Sequence, residues 1–204
     1  MLSRNLARRF NIANSFARVG KVNQEPDRYF GLLQVANGHN HPDYSWVVGV
    51  RNSHDKSLPC GIVAGTSVMV CDNLSFSGEV KLSRKHTCMI RVDLPLLARA
   101  AIGKLVDKWH TQDQRIDVYK NSTLKDWLAH DLVIKALDAE VIPSTKLPQV
   151  LHEWRDPRHR EFAPRNVWSL HNAFTEVLKG NLPLLPGRTE RLHALLDDHV
   201  GLAN

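Results

Sequence analysis

The chain is short of everything that would carry it out of a cell or into a membrane. It has no run of about 18 apolar residues, so no transmembrane helix is expected, and no apolar stretch near its start resembles a secretory signal. A location inside the cell is the expectation. Cysteine is scarce: Cys60, Cys71 and Cys88 are odd in number and lack C-x-x-C spacing, which excludes a disulfide framework and a zinc knuckle and fits reduced, buried thiols. H-E-x-x-H, G-x-S-x-G and G-x-x-x-x-G-K-[ST] are all absent, removing the commonest metalloprotease, hydrolase and nucleotide-hydrolase readings. There is no internal repeat and no low-complexity segment. Acidic residues are missing altogether from 1–24 and from 81–91.

What is present is an ordinary globular composition with an uneven charge. Over 204 residues, 43% are apolar and 24% charged, enough to build a core without staples. The net charge of +6 is not spread along the chain. Residues 1–24 carry Arg4, Arg8, Arg9, Arg18 and Lys21, for +5, and residues 25–80 carry −3. Residues 81–91 carry Lys81, Arg84, Lys85 and Arg91, for +4, and residues 92–204 balance at 15 against 15. A basic N-terminal arm over 1–24 followed by one α+β domain over 25–204 is the expected organisation. The arm's composition also suits a mitochondrial transit peptide, or a basic segment that folds onto a polyanion.

Period-two alternation puts Tyr44, Trp46, Val48 and Val50 on one face of a strand, and the run Gly61 to Cys71 is rich in β-branched residues. Residues 72–78 read as a turn, followed by short strands at 79–82 and 86–92. The character then changes. Asp93 can cap a helix carrying Leu97, Ala100, Ala101, Leu105 and Trp109, and Ser122 or Thr123 can cap a second helix reaching about Glu140. A short helical piece near 148–155, a helix over 165–179 ended by Gly180, and a last helix over about 189–200 follow. Strands first and helices afterwards predict an α+β fold, with a small antiparallel sheet over about residues 44–92 and a mainly helical C-terminal half.

Four groups of residues can carry chemistry. Arg51, Asn52, His54 and Asp55 sit where a strand ends, a position suited to a general base or metal ligand, or to a turn bonding its own backbone. Cys71, Asp72 and Asn73, with Glu79 and His86 downstream, make a nucleophile or metal site only if a histidine comes near in space; otherwise Cys71 is structural. Trp168, His171, Asn172 and Thr175 form a polar and aromatic row at i, i+3, i+4 and i+7, which docks in the interior or lines a cleft. Lys81, Arg84, Lys85 and Arg91, with the arm's Arg4, Arg8 and Arg9, can track a phosphate backbone, or form a solvated charged surface. The eleven histidines are scattered, so no dedicated metal site and no cofactor are expected.

The segments GVRNSHDKS (49–57), VMVCDNLSFSGEV (68–80), RKHT (84–87) and WSLHNAFTE (168–176) resemble a bacterial family of phage/plasmid-like proteins, domain of unknown function 932. The resemblance runs from about Tyr29 to Leu196 and departs at His171, where that family usually has an aromatic. It implies a cytoplasmic protein of mobile elements and no established reaction. A strand-rich half followed by helices is also the layout of single-strand annealing proteins, which work as oligomers; that is fold analogy alone. The expected function is DNA binding, single-stranded DNA included, without catalytic turnover, no membrane partner and possible self-assembly. The alternatives are a metal-dependent hydrolase or nuclease built from the 51–55, 71–73 and 84–87 motifs, and a protein-interaction module.

Overall fold

The computed structural model describes residues 16–20, 28–35, 42–53, 60–71, 73–84, 90–180 and 184–202. They form an α+β fold. The strands are β1 (Phe16–Gly20), β2 (Arg28–Val35), β3 (Tyr44–Ser53), β4 (Cys60–Val68) and β5 (Leu74–Arg84), ordered β1-β2-β3-β4-β5 in one sheet. β1 to β4 pair antiparallel in succession, with Leu33 opposite Val48 and Val48 opposite Ala64. Five helices follow among the described residues: α1 (Ile90–Asn121), α2 (Asp126–Asp138), α3 (Leu147–Arg155), α4 (Val167–Leu178) and α5 (Leu185–Val200). No described helix is long and apolar enough to cross a membrane.

Close packing divides the chain into two compact units. One comprises 1–69 and 78–109; the other comprises 70–77 and 110–204. The first four residues of β5 therefore belong to the helical unit and the rest to the sheet unit, and α1 changes membership after Trp109.

In the sheet unit, the central strands are covered on both faces. Tyr44, Trp46 and Val48 are buried on one side of β3, as their alternation predicts, but Val47 between them is buried too. Trp109 closes this core: its indole stacks on Trp46 with ring centres 4.9 Å apart and planes 4° from parallel, while its Nε1 donates to the Gly65 carbonyl at 3.2 Å.

The sheet begins earlier and ends earlier than the expected 44–92. β1 and β2 add Phe16–Gly20 and Arg28–Val35, Leu74 to Ser77, expected as turn, belong to β5, and residues 86–89 of the expected last strand lie outside the described residues. Ile90–Val92, read as strand from Cys88, Ile90 and Val92 at period two, instead begin α1. Three alternating apolar residues fit a helix as well as a strand, and Asp93 in the first turn complements the positive helix end. Ser122 and Thr123 do not cap α2. Ser122 donates to the Val118 carbonyl at 2.8 Å and Thr123 bridges to Asn166, so α2 starts only at Asp126, after Lys125 and without a side-chain cap. Asn166 does cap α4, its Oδ1 accepting from Ser169 N at 2.9 Å, and Gly180 at φ +95 ends that segment, as expected. α5 starts at Leu185 with Pro186 in its first turn, about a turn earlier than the expected start near Thr189.

Replacing Trp109 by alanine removes a stacked partner and a hydrogen bond together and is expected to cost about 3–5 kcal/mol. Trp109→Phe retains the ring and loses the indole donor, for about 1 kcal/mol. Urea unfolding of the two variants checks both values.

Candidate functional site

The basic residues fall on the sheet unit. Lys81 and Arg84 lie in β5, an edge strand, and Arg91 in the first turn of α1. Arg4, Arg8, Arg9 and Lys85 lie outside the described residues. Arg99, Lys104 and Lys108 on α1 are exposed, the last two sharing one face at i, i+4. Counted over all its residues, the sheet unit holds 15 lysines and arginines against 7 acids, and the helical unit 12 against 14. The net charges are +8 and −2, so the surplus lies entirely on one unit.

The mixed candidate set is divided. Arg51 and Asn52 close β3 and Glu79 is in β5, all within the sheet unit, whereas Asn73 belongs to the helical unit. His54, Asp55, Asp72 and His86 lie outside the described residues. Asn73 is buried, and its Nδ2 donates to the Asn172 carbonyl at 3.3 Å and lies 3.4 Å from Asn172 Oδ1.

The row on α4 docks in the interior of the helical unit. Trp168, His171, Asn172 and Thr175 are all buried. Trp168, His171 and His193 stack in sequence, with ring centres 5.2 and 5.0 Å apart. The Ser75 hydroxyl lies 2.8 Å from His193 Nε2 and 3.1 Å from His171 Nε2. Beyond His193, the Tyr119 hydroxyl donates to Asp197 Oδ1 at 2.7 Å and lies 3.4 Å from His193 Nδ1. Arg115 grips both oxygens of Asp197, from Nε at 2.9 and 3.0 Å and from Nη2 at 2.7 Å, while its Nη1 donates to Gln112 Oε1 at 2.7 Å.

One proton arrangement satisfies this chain of bonds. Tyr119 gives its only proton to Asp197, so His193 Nδ1–H donates to Tyr119, and His193 Nε2 accepts from Ser75. His171 then donates from Nε2 to the Ser75 oxygen, leaving its Nδ1 as a buried acceptor with no partner. Both rings are held neutral. Burial, reinforced by the Arg115 guanidinium, pushes His171 down to about 3. Burial, Arg115 and His171 together hold His193 well below its usual value. Burial, followed by the charge of Asp197, raises Tyr119.

A serine bonded to a histidine, with an aspartate one tyrosine further on, has the ingredients of an activated nucleophile. Access decides against that use. Ser75 is 1% exposed and His193 3%, so neither reaches a substrate, and the chain acts as a polar core.

A second grouping joins residues far apart in the chain. Cys71, His159 and Glu176 place one ligand atom each within 4.8 Å of one another. The thiol does meet a histidine, though it is neither His54 nor His86. Nothing in local spacing marks His159 or Glu176. The polar core left a fainter trace: Gln112, Arg115 and Tyr119 recur at i, i+3 and i+7, and Thr189, His193 and Asp197 at i, i+4 and i+8, each a polar stripe beside an apolar one.

The chain matches no family model, no curated protein and no solved structure.

The buried histidines make stability depend on pH. The unfolded chain binds protons near the ordinary histidine value of 6.5, while the folded unit excludes them from both rings. Their contribution is therefore complete above that pH and is lost as pH falls through the window below it. Each ring adds up to about 1.4 kcal/mol per pH unit. Urea midpoints between about pH 6.5 and 5 should fall steeply, and His171→Gln should roughly halve the slope.

Proposed function

We propose that the protein is a cytoplasmic, mobile-element-associated nucleic-acid-binding protein that holds DNA without chemical turnover. The observation that carries this reading is the segregation of charge: +8 on the sheet unit and −2 on the helical unit. Cationic side chains on one body, with a neutral to acidic second body, suit a phosphate backbone, because affinity for it comes from counterion release wherever lysine and arginine cluster. Lys81, Arg84 and Arg91 belong to β5 and α1 of that unit, and Arg4, Arg8, Arg9 and Lys85 add four more cations to its sequence. The exposed Arg99, Lys104 and Lys108 add cations on the same unit. The mobile-element part of the proposal rests on the resemblance of residues 49–57, 68–80, 84–87 and 168–176 to phage/plasmid-like proteins, which no family model carries. The inaccessibility of Ser75 and His193 favours binding over catalysis.

Fluorescence titration with single- and double-stranded DNA over a range of salt tests the assignment. Log affinity should fall linearly with log salt, and neutralising Lys81, Arg84 and Lys85 together should reduce the slope by about 0.9 per lost contact on duplex and about 0.7 on single strands. Absence of binding at low salt, or an unchanged slope in the triple variant, would overturn the proposal.

A further inference from the structure

Three segments of the helical unit bring a sulfur, a ring nitrogen and a carboxylate oxygen together. Cys71 is in the turn before β5, His159 in the loop after α3, and Glu176 on α4; the thiol is buried and the other two side chains are half-buried. Their ligand atoms lie within 4.8 Å of one another. Around a tetrahedral zinc ion, with Zn–S near 2.3 Å and Zn–N and Zn–O near 2.0–2.1 Å, such atoms stand roughly 3.4–3.6 Å apart, so a contraction of about 1 Å closes the site. Thiolate, imidazole and carboxylate together suit a borderline-soft divalent ion better than magnesium or calcium, which take oxygen ligands.

A separate observation points to a ligand here. Asn73 is 1% exposed, and its Oδ1 has no hydrogen-bond partner among the described residues. It lines a small cavity together with His159, Glu153 and Glu176. The cavity measures about 10 Å³, close to the space one water or ion needs. A buried carbonyl oxygen without a donor is costly, and a water carried by an ion would supply the donor. Cationic partners already lie against the carboxylates, Arg158 at 2.7 Å from Glu153 and 3.2 Å from Glu176 and Lys179 at 2.5 Å from the other oxygen of Glu176, so an ion bound here shares Glu176 with them. Each carboxylate retains free lone pairs beyond these contacts.

We propose that Cys71, His159 and Glu176 bind one zinc-type divalent ion, with a water in the fourth position held against Asn73. Binding forms a metal–sulfur bond in place of the thiol S–H and releases that proton to solvent. The site lies wholly within the helical unit and does not depend on the nucleic-acid reading.

The experiment uses the full chain, stripped with a chelator and titrated with zinc and then with cobalt. One ion per chain is expected, with a thiolate-to-cobalt charge-transfer band in the near ultraviolet and release of protons into a weak buffer. Cys71→Ser should abolish the band. His159→Gln, at a half-exposed position, supplies the same information if the cysteine variant does not fold. It should weaken zinc binding by more than the roughly 10- to 100-fold typical of losing an outer-shell partner. Lack of uptake at one equivalent, uptake without the charge-transfer band, or uptake unchanged in His159→Gln and Glu176→Gln would each overturn the proposal.

Discussion

Asp197 is 2% exposed and ion-paired with Arg115 at 2.7 Å, and much of the helical unit is arranged around keeping it paired. An isolated carboxylate in such surroundings would cost many kcal/mol, so it persists only with its oxygens engaged. Arg115 engages both and Tyr119 engages one. Losing one partner of such a pair costs about 3–5 kcal/mol, because the other charge stays buried and unmatched. α1 and α5 are thereby locked in register: Gln112, Arg115 and Tyr119 on one helix face His193 and Asp197 on the other.

From that ion pair the demand for partners passes outward. Tyr119 has only one proton, and giving it to Asp197 sets the tautomer of His193, which in turn sets the direction of the Ser75 hydroxyl and the protonated nitrogen of His171. Thr189 repeats the pattern one helical turn before His193: it accepts from Phe76 N at 3.1 Å and donates to the Leu185 carbonyl at 2.9 Å. The short stretch Asn73 to Phe76 is thus held by residues of α4 and α5. Two buried acceptors here are left without a partner among the described residues, Asn73 Oδ1 and His171 Nδ1, the latter on a ring stacked between Trp168 and His193.

The sequence was most legible where a single element decides burial. Tyr44, Trp46 and Val48 announce β3 by alternation, and Trp168, His171, Asn172 and Thr175 announce a docked helix face by their spacing, because both periodicities follow from backbone geometry. Helix starts were less legible. Ser122 and Thr123 have the chemistry of caps, but the Ser122 hydroxyl turns back to Val118 and Thr123 is drawn into a bridge with Asn166, and only the fold reveals that competition. Partnerships across the chain left no local trace: Arg115 and Asp197 are 82 residues apart, and Cys71 meets a histidine in a distant loop rather than one beside it in sequence. The charge segments were readable from the start, but their sorting onto two bodies required the contacts.

β5 is shared between the two units, and this bears on the order in which a ribosome delivers the protein. Most of the sheet can pair as soon as it emerges, since β2, β3 and β4 are sequence neighbours joined antiparallel. Residues 73–76 cannot complete their bonds then. Ser75 waits for His193, 118 residues later, and the Phe76 amide for Thr189. Because synthesis runs from the N-terminus at about 5–20 residues per second, the start of this strand spends seconds among finished neighbours with its own partners unmade. That interval, longer than most elementary folding steps, is when the nascent chain is most open to mispairing or to capture by a chaperone.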